Sequence, residues 1–183
     1  MGRRVVGGGG RRRAERVTGK FRLARHTTVA ACQDLLAIEP LIVHSDDDLL
    51  TVMRRASGHP ETRLIGVVDD AGILVGDLPV LRVAESVIGR VVPEALLADI
   101  EDIDDVARFG HAIEARTAGE AMSERAVTRP DATIDSAFRV MHTRHLSGLY
   151  IVDADGRPTG YLDLLELAIR YVEAIETDPS RPS

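Results

Sequence analysis

The chain has 183 residues, 44% hydrophobic and 28% charged with a net charge of −6, the balance of a soluble globular protein with one domain or two small ones. No apolar run approaches the roughly 20 residues that span a bilayer, and the single cysteine, Cys32, can neither staple the fold nor build an all-cysteine metal site, so a reduced cytoplasm is expected. Tryptophan is absent and aromatics are 3%, which argues against a stacking platform for single-stranded nucleic acid.

The charge is unevenly placed. Residues 1–26 hold nine Lys/Arg and one acid, Glu15, a net +8; the remainder, with 14 basic and 28 acidic side chains, sums to −14. Glycines at 7–10 and the lack of a secretory apolar core make 1–26 a basic arm expected to be disordered. It reads as a solubilising tail, a targeting segment or an electrostatic anchor for nucleic acid. The glycines are not a phosphate loop, because no Lys-Ser/Thr follows them.

Order is expected to begin near Thr27 or Thr28. Val29, Ala30, Cys32, Leu35 and Leu36 have helical spacing, and Pro40 ends that segment. Residues 41–43 form a short strand. Leu49, Val52, Met53 and Ala56 then mark one face of a helix, with Asp48 as its N-cap. Residues 64–68 have the length of a buried strand, 69–72 make a tight turn, and 73–75 return. Pro79 suits the start of the next helix.

The same order recurs. Residues 128–131 answer to 43–46, and Ile134, Ala137, Phe138 and Met141 answer to Leu49, Val52, Met53 and Ala56. Residues 149–153 answer to 65–69, and Gly156 and Gly160 to Gly72 and Gly76. The offset is 85 residues in the first half and 84 in the second. This predicts a duplicated β-α-β-β-α unit, each copy too small to bury a full core alone, so that the two pack on each other. The expected division is a basic arm at 1–26, a first unit at 27–85, a helical acidic connector at 86–116, a second unit at 117–176 and a disordered tail at 177–183. The acidic run 99–105 reads as a solvated helix face or as a divalent-cation patch, and it lacks the ligand spacing of an EF-hand loop.

The second copy resembles a CBS domain, the module named after cystathionine β-synthase. The likeness is carried by Glu120-Ala-Met122-Ser123, Val127-Thr128-Arg129-Pro130-Asp131-Ala-Thr133, Ser147-Gly148-Leu149, Val152-Asp153-Ala-Asp155-Gly156 and Gly160. The first copy matches more weakly, keeping Val67-Val68-Asp69, Gly72 and Gly76. Two in tandem resemble a Bateman module. The resemblance implies an α/β fold of two units with pseudo-twofold symmetry, two clefts between them and pairing of modules into a homodimer. It also implies an adenosine-containing regulatory ligand such as AMP, ADP, ATP or S-adenosylmethionine.

In nucleotide-binding members the last strand enters the last helix through glycine, two apolar residues, Ser/Thr, two more residues and Asp. The hydroxyl helps hold phosphate, and the acid bonds the ribose. In the second copy these positions are Gly160, Asp163 and Glu166. Asp163 would repel a phosphate there, and the pair also reads as an acidic analogue of a capping box. In the first copy Pro79 and Arg82 take the two positions, leaving no ribose acceptor; Arg82 reads as an anion contact or, more simply, the partner of a nearby acid. The resemblance places the other wall of each cleft at Thr128, Arg129 and Asp131, and at Val43, His44 and Asp46. Arg129 is the phosphate candidate of that wall, and Asp131 and Asp46 read equally as turn residues. The strand holding Tyr150 and Ile151 is expected along the base pocket, where the Tyr150 ring either stacks on a base or fills the cleft.

The six histidines show no zinc-motif setting, and Ser, His and acid side chains occur without a nucleophile elbow. The expectation is a non-catalytic, ligand-sensing module with no required cofactor, acting on a regulated protein that the sequence does not name. The alternatives are a nucleic-acid-associated protein anchored by its arm and a protein–protein adaptor with empty clefts.

Overall fold

The computed structural model describes residues 26–33, 38–91, 110 and 114–176. Most of the basic arm, Leu35, Leu36, the acidic run 99–105 and the C-terminal tail lie outside these residues.

The first copy contains β1 (Ile42–His44), α2 (Leu49–Ser57), β2 (Leu64–Val68), β3 (Leu74–Pro79) and α3 (Val80–Val91), preceded in the chain by a short α1 (Val29–Gln33). As the spacing predicts, Leu49, Val52 and Ala56 form the buried face of α2, and the Asp48 carboxylate caps it by accepting from the backbone N–H groups of Leu50 at 3.1 Å and Thr51 at 3.0 Å. The second copy contains α4 (Ala118–Ala121), β4 (Ser123–Glu124), β5 (Val127–Thr128), α5 (Ile134–Thr143), β6 (Gly148–Val152), β7 (Pro158–Asp163) and α6 (Leu164–Glu176). α3 continues unbroken to Val91, so residues 84–91 complete that helix just as 168–175 complete α6.

The strands form two sheets. In the first, β1 runs parallel to β2, β3 antiparallel to β2, and β4 antiparallel to β3. In the second, β5 runs parallel to β6 and β7 antiparallel to it. Both hairpins carry a register shift at the equivalent place, Val67/Val68 and Ile151/Val152. Their turns are alike as well. Asp69 accepts from the N–H groups of Ala71 and Ile73, and Asp153 from those of Asp155 and Arg157. Gly72 (φ 75°) and Gly156 (φ 82°) supply the left-handed residue that closes each turn.

Alternation along β2 and β6 explains why both are apolar throughout. Ile65 and Val67 join α2 and α3 in the first core; Leu149 and Ile151 join α5 and α6 in the second. The opposite faces meet each other, with Leu64, Val68, Leu74, Tyr150, Val152 and Tyr161 in a third core between the sheets. Each sheet is thus buried on both faces, which calls for continuous apolar strands.

The leading helices are exchanged. Val29 and Cys32 of α1, fully buried, belong to the second core, whereas Ala118 and Ala121 of α4 belong to the first. Backbone bonds fix the exchange. Val29 N donates to Ala132 O at 2.8 Å and Ile134 N to Thr27 O at 2.9 Å; Ala118 N donates to Asp47 O at 2.9 Å and Leu49 N to Arg116 O at 3.0 Å. α4 is further held by a capping box, in which Thr117 and Glu120 satisfy each other's backbone N–H groups.

Candidate functional site

The junction between the sheets is built around β6 and β7. Tyr150 is fully buried. Its hydroxyl donates to Leu41 O (2.7 Å), with Leu64 O at 3.1 Å, and accepts from Gly66 N at 2.7 Å, so all its bonds cross to the first unit. Burial, reinforced by Tyr161, raises its pKa and keeps it a donor. The Tyr150 ring lies in the apolar cluster between the two sheets. Tyr161 packs beside it with ring centroids 5.2 Å apart. The Tyr161 hydroxyl is buried beside the Ser147 side chain, and it stands over Gly148, where a Cβ would collide with it.

Asp163 ends β7 and caps α6. Oδ1 accepts from Leu165 N at 2.9 Å and Glu166 N at 3.0 Å, the role a capping carboxylate takes at a helix N-terminus. Oδ2 is buried, lacks a hydrogen bond and faces Arg63 Nη1 of the first unit at 3.8 Å. Glu166 sits one turn into α6, half-buried. Charged groups of both units therefore meet at this end of β6, where Gly148 lies opposite Asp163.

The other expected contacts are placed elsewhere. Thr128 is buried on β5 opposite Ile151, at the far end of β6 from Asp163, three residues or roughly 10 Å along the strand. Arg129 and Asp131 are exposed and lie 3.5 Å from each other. Ile151 points into the second core rather than towards the junction. Gly160 pairs with Ile151 within the sheet. His44 is exposed at the end of β1, its backbone N–H held by Asp47. Arg82 donates to Ser123 Oγ at 3.1 Å and reaches Ala121 O at 3.5 Å, so it ties α3 to the segment that enters the second unit. Asp163 and Glu166 are thus brought together, and the Thr128 group is kept apart from them.

Three residues of the junction were not singled out by sequence reasoning: Arg63, Tyr161 and Asp77. Asp77 is buried in β3 at the position equivalent to Tyr161. One carboxylate oxygen accepts from Ala126 N, where the chain passes from one sheet to the other, and the second has no hydrogen-bond partner among the described residues. Burial pushes its pKa up to about 6, against the opposing pull of the Ala126 N–H and the Arg144 charge. The available signal was a polar residue between apolar neighbours in both copies of a strand of buried length. A hollow of about 400 Å³ opens between residues 38–39 and 58–62; none of the expected ligand contacts lines it. Among the described residues no cluster of three His, Cys, Asp or Glu is arranged to hold a metal ion, and no helix is long and apolar enough to cross a membrane.

The model of the CBS domain family matches residues 118–173. No curated protein matches the chain in sequence. Among solved structures, a CBS domain-containing protein from Thermotoga maritima is similar at 20% identity, over 86% of this chain and 100% of that one, with a TM-score of 0.64. A CBS domain pair solved with 5′-methylthioadenosine and S-adenosyl-L-methionine is 20% identical over 80% of this chain and 97% of its own, TM-score 0.58. The protein CBSX2, solved with AMP, is 17% identical over 80% of this chain and 97% of its own, TM-score 0.60. Residues 118–173 are a CBS domain, and the chain as a whole has the tandem CBS fold of a Bateman module.

Proposed function

We propose that the chain is a non-catalytic regulatory module that binds an adenosine-containing ligand between its two CBS units and passes the change to a partner protein. The observation that carries this reading is the meeting of Asp163, at the start of α6, with Arg63 of the other unit. A ligand that reaches either charge acts on the seam between the units and favours one of their arrangements by its differential affinity. The similar structures solved with AMP and with 5′-methylthioadenosine plus S-adenosyl-L-methionine support the ligand class. Glu166 is the ribose acceptor in this reading, and Arg129 remains available for a phosphate.

The same reading has the module pair with a second copy in the cytoplasm. α3 exposes Leu81, Ile88 and Val91, and α6 exposes Leu165, Ile169 and Val172. Leu81 answers to Leu165 and Ile88 to Val172 across the repeat, so both units present an apolar stripe at the same place. Two such stripes suit an isologous contact between copies.

A thermal-shift panel of AMP, ADP, ATP, adenosine and S-adenosylmethionine, repeated on Glu166→Ala, tests the proposal. Stabilisation of the wild type that the variant loses is the expected result. An equal response of both removes the ribose role from Glu166, and no response to any compound removes the adenosine ligand. Salt-sensitive binding of DNA or RNA that disappears on deletion of residues 1–26 would replace this reading with one centred on the basic arm.

A further inference from the structure

The N-terminus of a helix normally offers free N–H groups to an anion. At α6 that offer is already taken. Asp163 Oδ1 accepts from both Leu165 N and Glu166 N, and Glu166 adds a second acid in the first turn. What remains open is the opposite kind of group. Asp163 is 1% exposed, and its Oδ2 has no hydrogen bond. Its nearest cation, Arg63 Nη1 at 3.8 Å, is beyond hydrogen-bond length, and the Arg63 side chain is half-exposed. Close by, the buried Tyr161 hydroxyl has the Ser147 side chain as its hydrogen-bond neighbour and feels the Asp163 charge. An ionised carboxylate only accepts. Asp163 Oδ2 is therefore short of a donor.

We propose that Asp163 makes this junction select ligands that present a hydrogen-bond donor or a positive charge, and reject those that present a phosphate. Within the adenosine class, the preferred ligand is an uncharged nucleoside or a sulfonium nucleoside, not a nucleotide. The inference rests on the adenosine reading above and adds to it the sign of the group that faces Asp163. A donor from the ligand takes the place of Arg63 at Oδ2 and, with it, the ionic contact between the two units. A phosphate brings no N–H to Oδ2 and sets negative charge against negative charge in a poorly solvated place.

The test is calorimetric titration of the full chain with adenosine, 5′-methylthioadenosine, S-adenosylmethionine, AMP and ATP, for the wild type and for Asp163→Asn and Asp163→Thr. Both variants keep a side-chain oxygen for the helix cap, and Asp163→Asn changes little but the charge. The wild type is expected to bind the phosphate-free compounds at least tenfold more tightly than AMP or ATP. Each variant is expected to narrow that ratio at least tenfold, chiefly through tighter nucleotide binding. Wild-type preference for AMP or ATP, or a ratio that neither variant moves, overturns the role of Asp163 while leaving an adenosine ligand in place. Absence of binding by all three proteins overturns the ligand reading itself and the selectivity with it.

Discussion

Gly66 and Tyr150 occupy the same position in the two repeats, 84 residues apart, and they touch each other. The Gly66 N–H donates to the Tyr150 hydroxyl at 2.7 Å, and a Cβ built on Gly66 would stand 2.7 Å from the Tyr150 ring and 3.0 Å from Leu74. One copy has given up a side chain and the other has filled the space, so the pseudo-twofold seam is occupied by one ring where symmetry would bring two. Gly66→Ala is expected to lower stability by about 1–3 kcal/mol through overpacking of a buried ring. The urea midpoint measures this; an unchanged midpoint means that the sheets separate easily enough to admit a methyl group.

Tyr150→Phe keeps the ring and removes the hydroxyl. The loss is expected near about 1 kcal/mol, at the lower end for a buried group, because Gly66 N and Leu41 O remain bonded to each other at 2.9 Å. The seam should loosen more than either core. Amide exchange at Gly66 is therefore expected to quicken before exchange in α2 or α5, and uniform quickening would show that the hydroxyl supports the whole chain instead of the seam.

What the sequence made legible was local. The Asp48 cap, the helix face of Leu49, Val52 and Ala56, and the two glycine-closed turns are each encoded within a few residues, and each appears where spacing and turn chemistry put it. The contacts between units are of another kind. Arg63 and Asp163 are brought together only when two sheets dock back to back, and no period in the sequence reports that docking. The crossing of α1 into the second core was hidden for the same reason: Val29 and Cys32 have the spacing of a buried face but carry no sign of which core buries them. Tyr150 held a clue that only the repeat reveals, namely that its counterpart is a glycine.

The exchange of leading helices has a measurable consequence. Val29 is fully buried against the second core although it precedes the first copy in the chain. Val29→Ala is expected to cost about 2 kcal/mol and to speed amide exchange in α5 and β6 rather than in α2 and β2. Exchange that quickens first in the first unit would contradict this packing.

The exposed stripes on α3 and α6 set a prediction on assembly. Leu165→Glu and Val172→Glu lie on a half-exposed helix face, so each is expected to change monomer stability by less than about 0.5 kcal/mol. If the stripe joins two copies, either change is expected to convert a dimer to a monomer in sedimentation experiments, because an unpaired carboxylate would be buried across the contact. A wild type that sediments as a monomer at tens of micromolar removes the dimer from the proposed function.

Asp77 makes stability depend on pH in a direction opposite to that of most carboxylates. Burial raises its folded pKa to about 6, above the ordinary 3.8, so the folded state holds the proton more tightly than the unfolded chain does. Its contribution is fully present below about pH 3.8 and is lost as pH rises through about 6, when a buried carboxylate must ionise with one oxygen lacking a hydrogen bond. Around it stand the Ala126 N–H and the Arg144 charge, which favour ionisation, and the Tyr150 and Tyr161 phenols, which feel its charge. At about 1.36 kcal/mol per pH unit, the full effect is on the order of 2–3 kcal/mol. Asp77→Asn keeps an oxygen for Ala126 N and cannot ionise. It is expected to be more stable than the wild type at pH 7.5 by up to that amount and close to it only below about pH 3.8. Urea unfolding of the two proteins across this range measures the difference; a gap that stays constant with pH would show that Asp77 does not titrate within it.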